Sequence, residues 1–215
     1  MNISHLKIGT RLSGAFALIL LLLGSMLASA IWQLGKIEEA KTVMVEASHK
    51  AKLAAAWREH IATNGVRTLA KAKAADPAEE QVLDSEMKAV SAEVSKVQQE
   101  LEKLITSEQG KANLQAVAEQ RKVYNAVRND VFRRKAEEGV SEAVKAAVAE
   151  KLAPEMKKYT ASVEKVVAYQ DTIIQNANAN IDKVMADSRN FMLAMGLLAL
   201  GCGIGLGLML SLIHI

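Results

Sequence analysis

The sequence predicts an all-α protein, an antiparallel four-helix bundle flanked by two transmembrane helices. Three observations predict it. Residues 12–35 and 190–215 contain no Lys, Arg, Asp or Glu, and roughly 20 apolar residues are enough to span a bilayer. Between those runs, the breakers are confined to Gly65, Gly110, Gly139, Pro77 and Pro154, which leaves room only for a few long helices. Leu83, Met87, Val90, Val94, Val97, Leu101 and Leu104 then follow one another at alternating spacings of four and three, the rhythm of a buried seam between helices.

Taken in order, residues 1–11 carry Lys7 and Arg11 just ahead of the first apolar run. Positive charge flanking a span marks its cytoplasmic side, so this N-terminus is expected there. Residues 12–35 form the first expected span, with Trp32 suited to a membrane interface. Ala28-Ser29-Ala30 also resembles a signal-peptidase site, but the apolar run continues beyond it, unlike a cleaved leader. Residues 190–212 form the second expected span. Its Gly201/Gly205 and Gly203/Gly207 pairs would allow close approach of another helix, such as the Gly24/Ala28 side of the first span; a glycine-tolerant span without such a contact fits equally well. Cys202 lies at lipid depth and is expected to be inert.

Residues 36–189 then lie across the membrane from both termini, which in a bacterium means the periplasm, with the inner membrane as the location. With Lys7 and Arg11 set aside, this segment holds 25 bases against 24 acids. So even a balance argues against a nucleic-acid surface. One cysteine excludes a disulfide scaffold or a cysteine-based zinc module. His49 and His60 lack a third ligand at helical spacing, so no metal is expected. No nucleophile with a base, phosphate-cradling loop or paired carboxylates in an apolar setting is present, so neither catalysis nor a cofactor is expected.

Turn signals at Asp76-Pro77, Ser107 to Gly110 and Glu138-Gly139 divide the segment into helices near 36–75, 78–106, 111–137 and 141–190. The first has a small-residue stripe through Ile37, Met44, Ala51, Ala55, Ala62 and Leu69, suited to close packing or to a symmetry mate. In the fourth, Leu152, Met156, Tyr159, Val163, Val166, Gln170, Ile173, Ala177, Asn180, Val184, Ser188 and Phe191 keep the four–three rhythm into the second span. The helix and span should therefore be one rod, roughly 88 Å long from Pro154 to Leu212 at 1.5 Å per residue.

The third helix carries the candidate site. Its seam reads Leu114, Val117, Arg121, Tyr124, Arg128, Val131 and Lys135, so two arginines one heptad apart flank a tyrosine. Burying both without an anion is costly. A carboxylate ligand would relieve that cost, matching the planar guanidinium fork and the tyrosine hydroxyl. The alternative is that these arginines snorkel outward or pair with acids such as Glu93 or Glu100. Tyr159 on the fourth helix joins the candidate set. A second cluster, Arg58, Asn64 and Arg67 on the first helix, would place Arg58 on the core stripe and use Gly65 to thin the helix at a dimer seam.

These features together resemble the N-terminal sensory half of bacterial methyl-accepting chemotaxis receptors of the four-helix-bundle type. The resemblance covers essentially the whole chain. It is carried by Leu6 to Leu12 before the first span, by the Arg58 to Arg67 segment, by Arg121 to Arg128 and by Leu152-Ala153-Pro154. It implies a homodimeric membrane receptor that binds a small anionic ligand, an organic acid or amino acid. Arg58 and Arg67 match the outer positions of the arginine pattern in aspartate and serine receptors; the middle position falls on Thr63, which shifts weight to Arg121, Tyr124 and Arg128. Cytoplasmic kinase and coupling-protein partners are implied only with an output module. The chain stops soon after the second span, so residues 213–215 read as a truncated cytoplasmic end whose last residues need not be native. Histidine kinases and nucleotide cyclases carry the same kind of head, and a membrane-tethered structural bundle is the remaining alternative.

Overall fold

The computed structural model describes residues 8–211; Leu6, Lys7 and the Leu212 to Ile215 end lie outside them. Helix α1 runs Ile8–Lys73, α2 Pro77–Leu104, α3 Glu108–Glu138, α4 Glu142–Ala147, and α5 Ala153–Ser211. A π-helical turn, Val148–Leu152, joins α4 to α5. No strand occurs among the described residues. The predicted fold class therefore holds.

Local chemistry explains the boundaries. Asp76 caps α2 by accepting from the Ala78 N–H at 2.9 Å, with Pro77 in the first position, where its missing N–H costs nothing. Ser107 accepts from the Gly110 N–H, so α3 starts at Glu108 instead of after Gly110. Gly139 ends α3 with φ +69°, a left-handed conformation that a side chain would oppose. Pro154 explains the π turn. It cannot donate to residue 150, and its ring would crowd that carbonyl; the preceding Ala153 N–H bonds instead to the Val148 carbonyl, widening the turn.

The chain divides into two compact units, Val45–Asn176 and a second made of Met1–Met44 with Ala177–Ile215. In the first, cross-helix bonds record antiparallel neighbours. Lys71 meets Asp84 and His49 meets Glu100 between α1 and α2; Arg121 reaches Gln98, and Lys135 reaches Glu80, between α2 and α3. Ser107 meets Tyr169 between α3 and α5. The core fills the space between the four helices. Trp57, Leu101, Val117, Leu152 and Val163 are fully buried there. Burial of each such side chain supplies about 1.5–3 kcal/mol, so packing rather than helix propensity holds the bundle.

The α2, α3 and α5 seams follow the predicted rhythm, except that Asn180 and Phe191 are exposed. The α1 stripe needs correction. Its buried face runs through Ala40, Ala47, Ala51, Ala54, Trp57, Ile61, Thr68 and Ala72, whereas Ala62 is exposed and Ala55 only half-buried. The large indole of Trp57 takes the core position at this level, and its neighbour Arg58 is turned to solvent.

In the second unit, α1 and α5 meet through a buried hydrogen bond from Ser188 Oγ to Gln33 Oε1, 2.9 Å. Lys36 lies 3.7 Å from the Trp32 ring centre. Both helices are long and apolar enough to cross a membrane. Leu20, Leu21, Leu27, Leu193, Leu197 and Leu200 all face outward, as lipid-facing residues would and those of a soluble core would not. Of the two readings of the glycines, a span without a special contact is the one seen within this chain: a Cβ on Gly24, Gly201, Gly203, Gly205 or Gly207 would meet nothing within 4 Å.

Candidate functional site: a cavity with two arginines

Five of the seven candidate residues line one cavity of about 200 Å³ inside the bundle: Asn64, Arg121, Tyr124, Arg128 and Tyr159. Each helix contributes for a local reason. On α3, Arg121, Tyr124 and Arg128 occupy successive seam positions. Asn125 stands four residues after Arg121, on an adjoining part of the same surface. On α5, Tyr159 is the buried seam residue one turn beyond Met156. Ile61 and Asn64 close the wall from α1, and Ser91 and Val94 close it from α2.

The polar groups are held in place but their charges are not neutralised. Arg121 donates to Gln98 Oε1 at 2.8 Å and to Ser95 Oγ at 3.1 Å, both uncharged. Arg128 donates to Asn129 Oδ1 at 3.1 Å and lies 5.8 Å from the Tyr124 ring centre. The acids considered as partners are engaged elsewhere, Glu93 with Lys96 and Glu100 with His49. Among the described residues neither guanidinium is in an ion pair, and no Asp or Glu lines the cavity. Two half-buried cations facing one space without a counter-charge favour an anion there.

The tyrosines form a firm floor. Their rings stack at 5.4 Å with an interplanar angle of 19°, and the Tyr124 hydroxyl is hydrogen-bonded to the fully buried Thr68 at 3.0 Å. Burial pushes the Tyr159 pKa up, with the positive charge of Arg121 opposing it, so the hydroxyl stays protonated at neutral pH. Asn64 donates to the Met87 carbonyl and to Ser91 Oγ, which fixes its amide orientation and leaves a buried Oδ1 without a partner.

The other two candidates lie outside this cavity. Arg58 lines an open groove with Glu59, Thr160 and Glu164. Arg67 is bound to Glu86 at 2.6 Å. Gly65 thins α1 for Met156 of the same chain. Sequence reasoning did not single out Asn125 or Ser91 as wall residues. Their signal was a small polar side chain beside an otherwise apolar seam. Met156 was read only as core.

The family model of the four helix bundle sensory module for signal transduction matches residues 5–185, and so includes the cavity and the whole of the first apolar run. No curated protein matches the chain. A bundle of four antiparallel helices, apolar helical ends and a partly open polar cavity suit such a module, as the resemblance in the sequence implies. With that match spanning most of its length, the chain belongs to the family of four helix bundle sensory modules for signal transduction.

Proposed function

We propose that the chain is the sensory region of a transmembrane chemoreceptor and that the cavity binds a small organic acid. Residues 12–35 and 190–212 serve as the spans, residues 36–189 as the periplasmic sensor, and both ends as cytoplasmic segments of a homodimer in the inner membrane. The observation that carries the ligand assignment is the pair Arg121 and Arg128, two guanidinium groups on one cavity whose wall contains no carboxylate. Each carboxylate hydrogen bond to such a group contributes about 1.5–3 kcal/mol. An α-amino acid fits less well than a dicarboxylate, because its ammonium would enter beside two cations with no acid to face it.

A ligand shifts the receptor only through a difference in affinity between two arrangements. Here the cavity joins α3, which carries both arginines, to α5 through the Tyr124–Tyr159 stack. α5 continues as helix to Ser211. Closing the arginines on an acid therefore biases the position of α5, the helix that leads to the second span and, only where an output module is present in the full-length protein, on to a cytoplasmic kinase and its coupling protein. A thermal-shift screen of the full chain in lipid nanodiscs, against succinate, malate, citrate, aspartate and serine, tests this reading. Ligand at 100 times its Kd adds about 2.7 kcal/mol of stability. Stabilisation by the acids without an ammonium is expected; no response to any of the five would contradict the reading.

A further inference from the structure

α1 and α5 approach closely where they wall the cavity. A Cβ placed on Gly65 would lie 2.7 Å from Met156 Sδ, closer than packed atoms tolerate. Glycine at this point admits the thioether against the α1 backbone. Met156 itself lines the cavity, as does Asn64, the residue before Gly65. The thioether thus occupies the layer between the α1 backbone and the free volume.

The remaining apolar wall is stiffer. Ile61 and Val94 are β-branched, with restricted side-chain rotation. Tyr124 is held by its bond to Thr68 and by its stack on Tyr159. Met156 is unbranched, with three rotatable bonds, and is the apolar wall residue whose advance or retreat disturbs least. With Arg121 and Arg128 holding the carboxylates, the length of acid that fits is set by the rest of the lining, Met156 included.

We propose that the Gly65–Met156 contact is the specificity-determining element of the cavity, setting the longest organic acid it accepts. This rests on the reading of the cavity as an organic-acid site. An added methyl at position 65 forces Met156 to shift, and because the obstacle is a flexible side chain and not backbone, the bundle can absorb the change. The shift directs the thioether into the cavity and shortens it. Removing the thioether does the reverse.

The test is calorimetric titration of the full chain in nanodiscs with malonate, succinate, glutarate and adipate, for the unsubstituted protein, Gly65→Ala and Met156→Ala. Circular dichroism melts establish that each variant is folded. For Gly65→Ala, the longest acid bound by the unsubstituted protein should lose at least tenfold more affinity than the shortest. For Met156→Ala, the preference should move toward longer acids. Because Met156→Ala removes atoms rather than adding them, it tests the proposal even where Gly65→Ala does not fold. Equal losses across all four acids in the folded variants would overturn the size-setting role and leave the anion site standing. Absence of binding by the unsubstituted protein to any of the four would overturn the organic-acid reading, and this proposal with it.

Discussion

At the residue scale, Arg121 and Arg128 differ from Lys135 and Lys71. Lys135 is buried but neutralised by Glu80 at 2.7 Å, and Lys71 by Asp84 at 2.5 Å. The two arginines have only neutral partners. Gln98 and Ser95 each take one N–H of the Arg121 guanidinium, and its three remaining N–H groups are the donors a carboxylate would meet. Arg121→Lys, which keeps the charge and loses the fork, should therefore weaken succinate binding about 10- to 100-fold in a calorimetric titration, the equivalent of one charge-assisted hydrogen bond. The hydrogen bonds and charges of Lys71 and Lys88 lower the Asp84 pKa to about 2 from 3.8. A lowered carboxylate pKa stabilises the fold above its unfolded value and loses that contribution as pH falls through the folded value. Asp84→Asn should therefore cost up to about 1 kcal/mol at pH 7, the scale of a part-exposed ion pair. Chemical denaturation should show the difference vanishing between about pH 4 and pH 2.

At the scale of the helices, burial concentrates where the four–three spacing places it. Leu101 is fully buried while Val82, on the same helix, is 58% exposed. Leu101→Ala should cost about 2–5 kcal/mol, and Val82→Ala less than about 0.5 kcal/mol, by denaturant titration. The seams of α2, α3 and α5 were legible in the sequence because apolar residues mark every position in α2 and most positions in α3 and α5. The seam of α1 was not, because alanine occupies both its buried and its exposed positions, and a run of small residues gives no sharp period. Trp57 was the missing signal, since its indole claims the core and turns Arg58 outward. Arg121, Tyr124, Arg128 and Tyr159 were legible as polar residues at core positions. Met156 was not, because an apolar seam residue looks the same whether it faces a cavity or a neighbour. The unbroken helix from Ala153 to Ser211 carries the last prediction at this scale. Several glycines inserted beside Asp187 should leave succinate affinity unchanged within twofold, yet abolish signalling in a chimera with a working output module. Signalling that survives the insertion would contradict a rigid helix as the transmitter.

In the molecule as a whole, the two helices that are long and apolar enough to cross a membrane turn apolar surfaces outward. In the proposed function an anion is the input and α5 the outlet. Moving a two-state receptor nearly completely from one arrangement to the other takes about 5.5 kcal/mol of differential affinity. Two charge-assisted contacts at about 1.5–3 kcal/mol each are of that order, provided both are made in one arrangement only. The proposed function therefore depends on the two arginines acting together on one ligand. The most direct measurement is a calorimetric titration of succinate into the full chain in lipid nanodiscs, comparing the unsubstituted protein with the Arg121→Ala, Arg128→Ala double variant. The account predicts one saturable site per chain in the unsubstituted protein and at least a 100-fold loss in the double variant, with the helical circular dichroism signal unchanged. Equal affinity in the two proteins would contradict it.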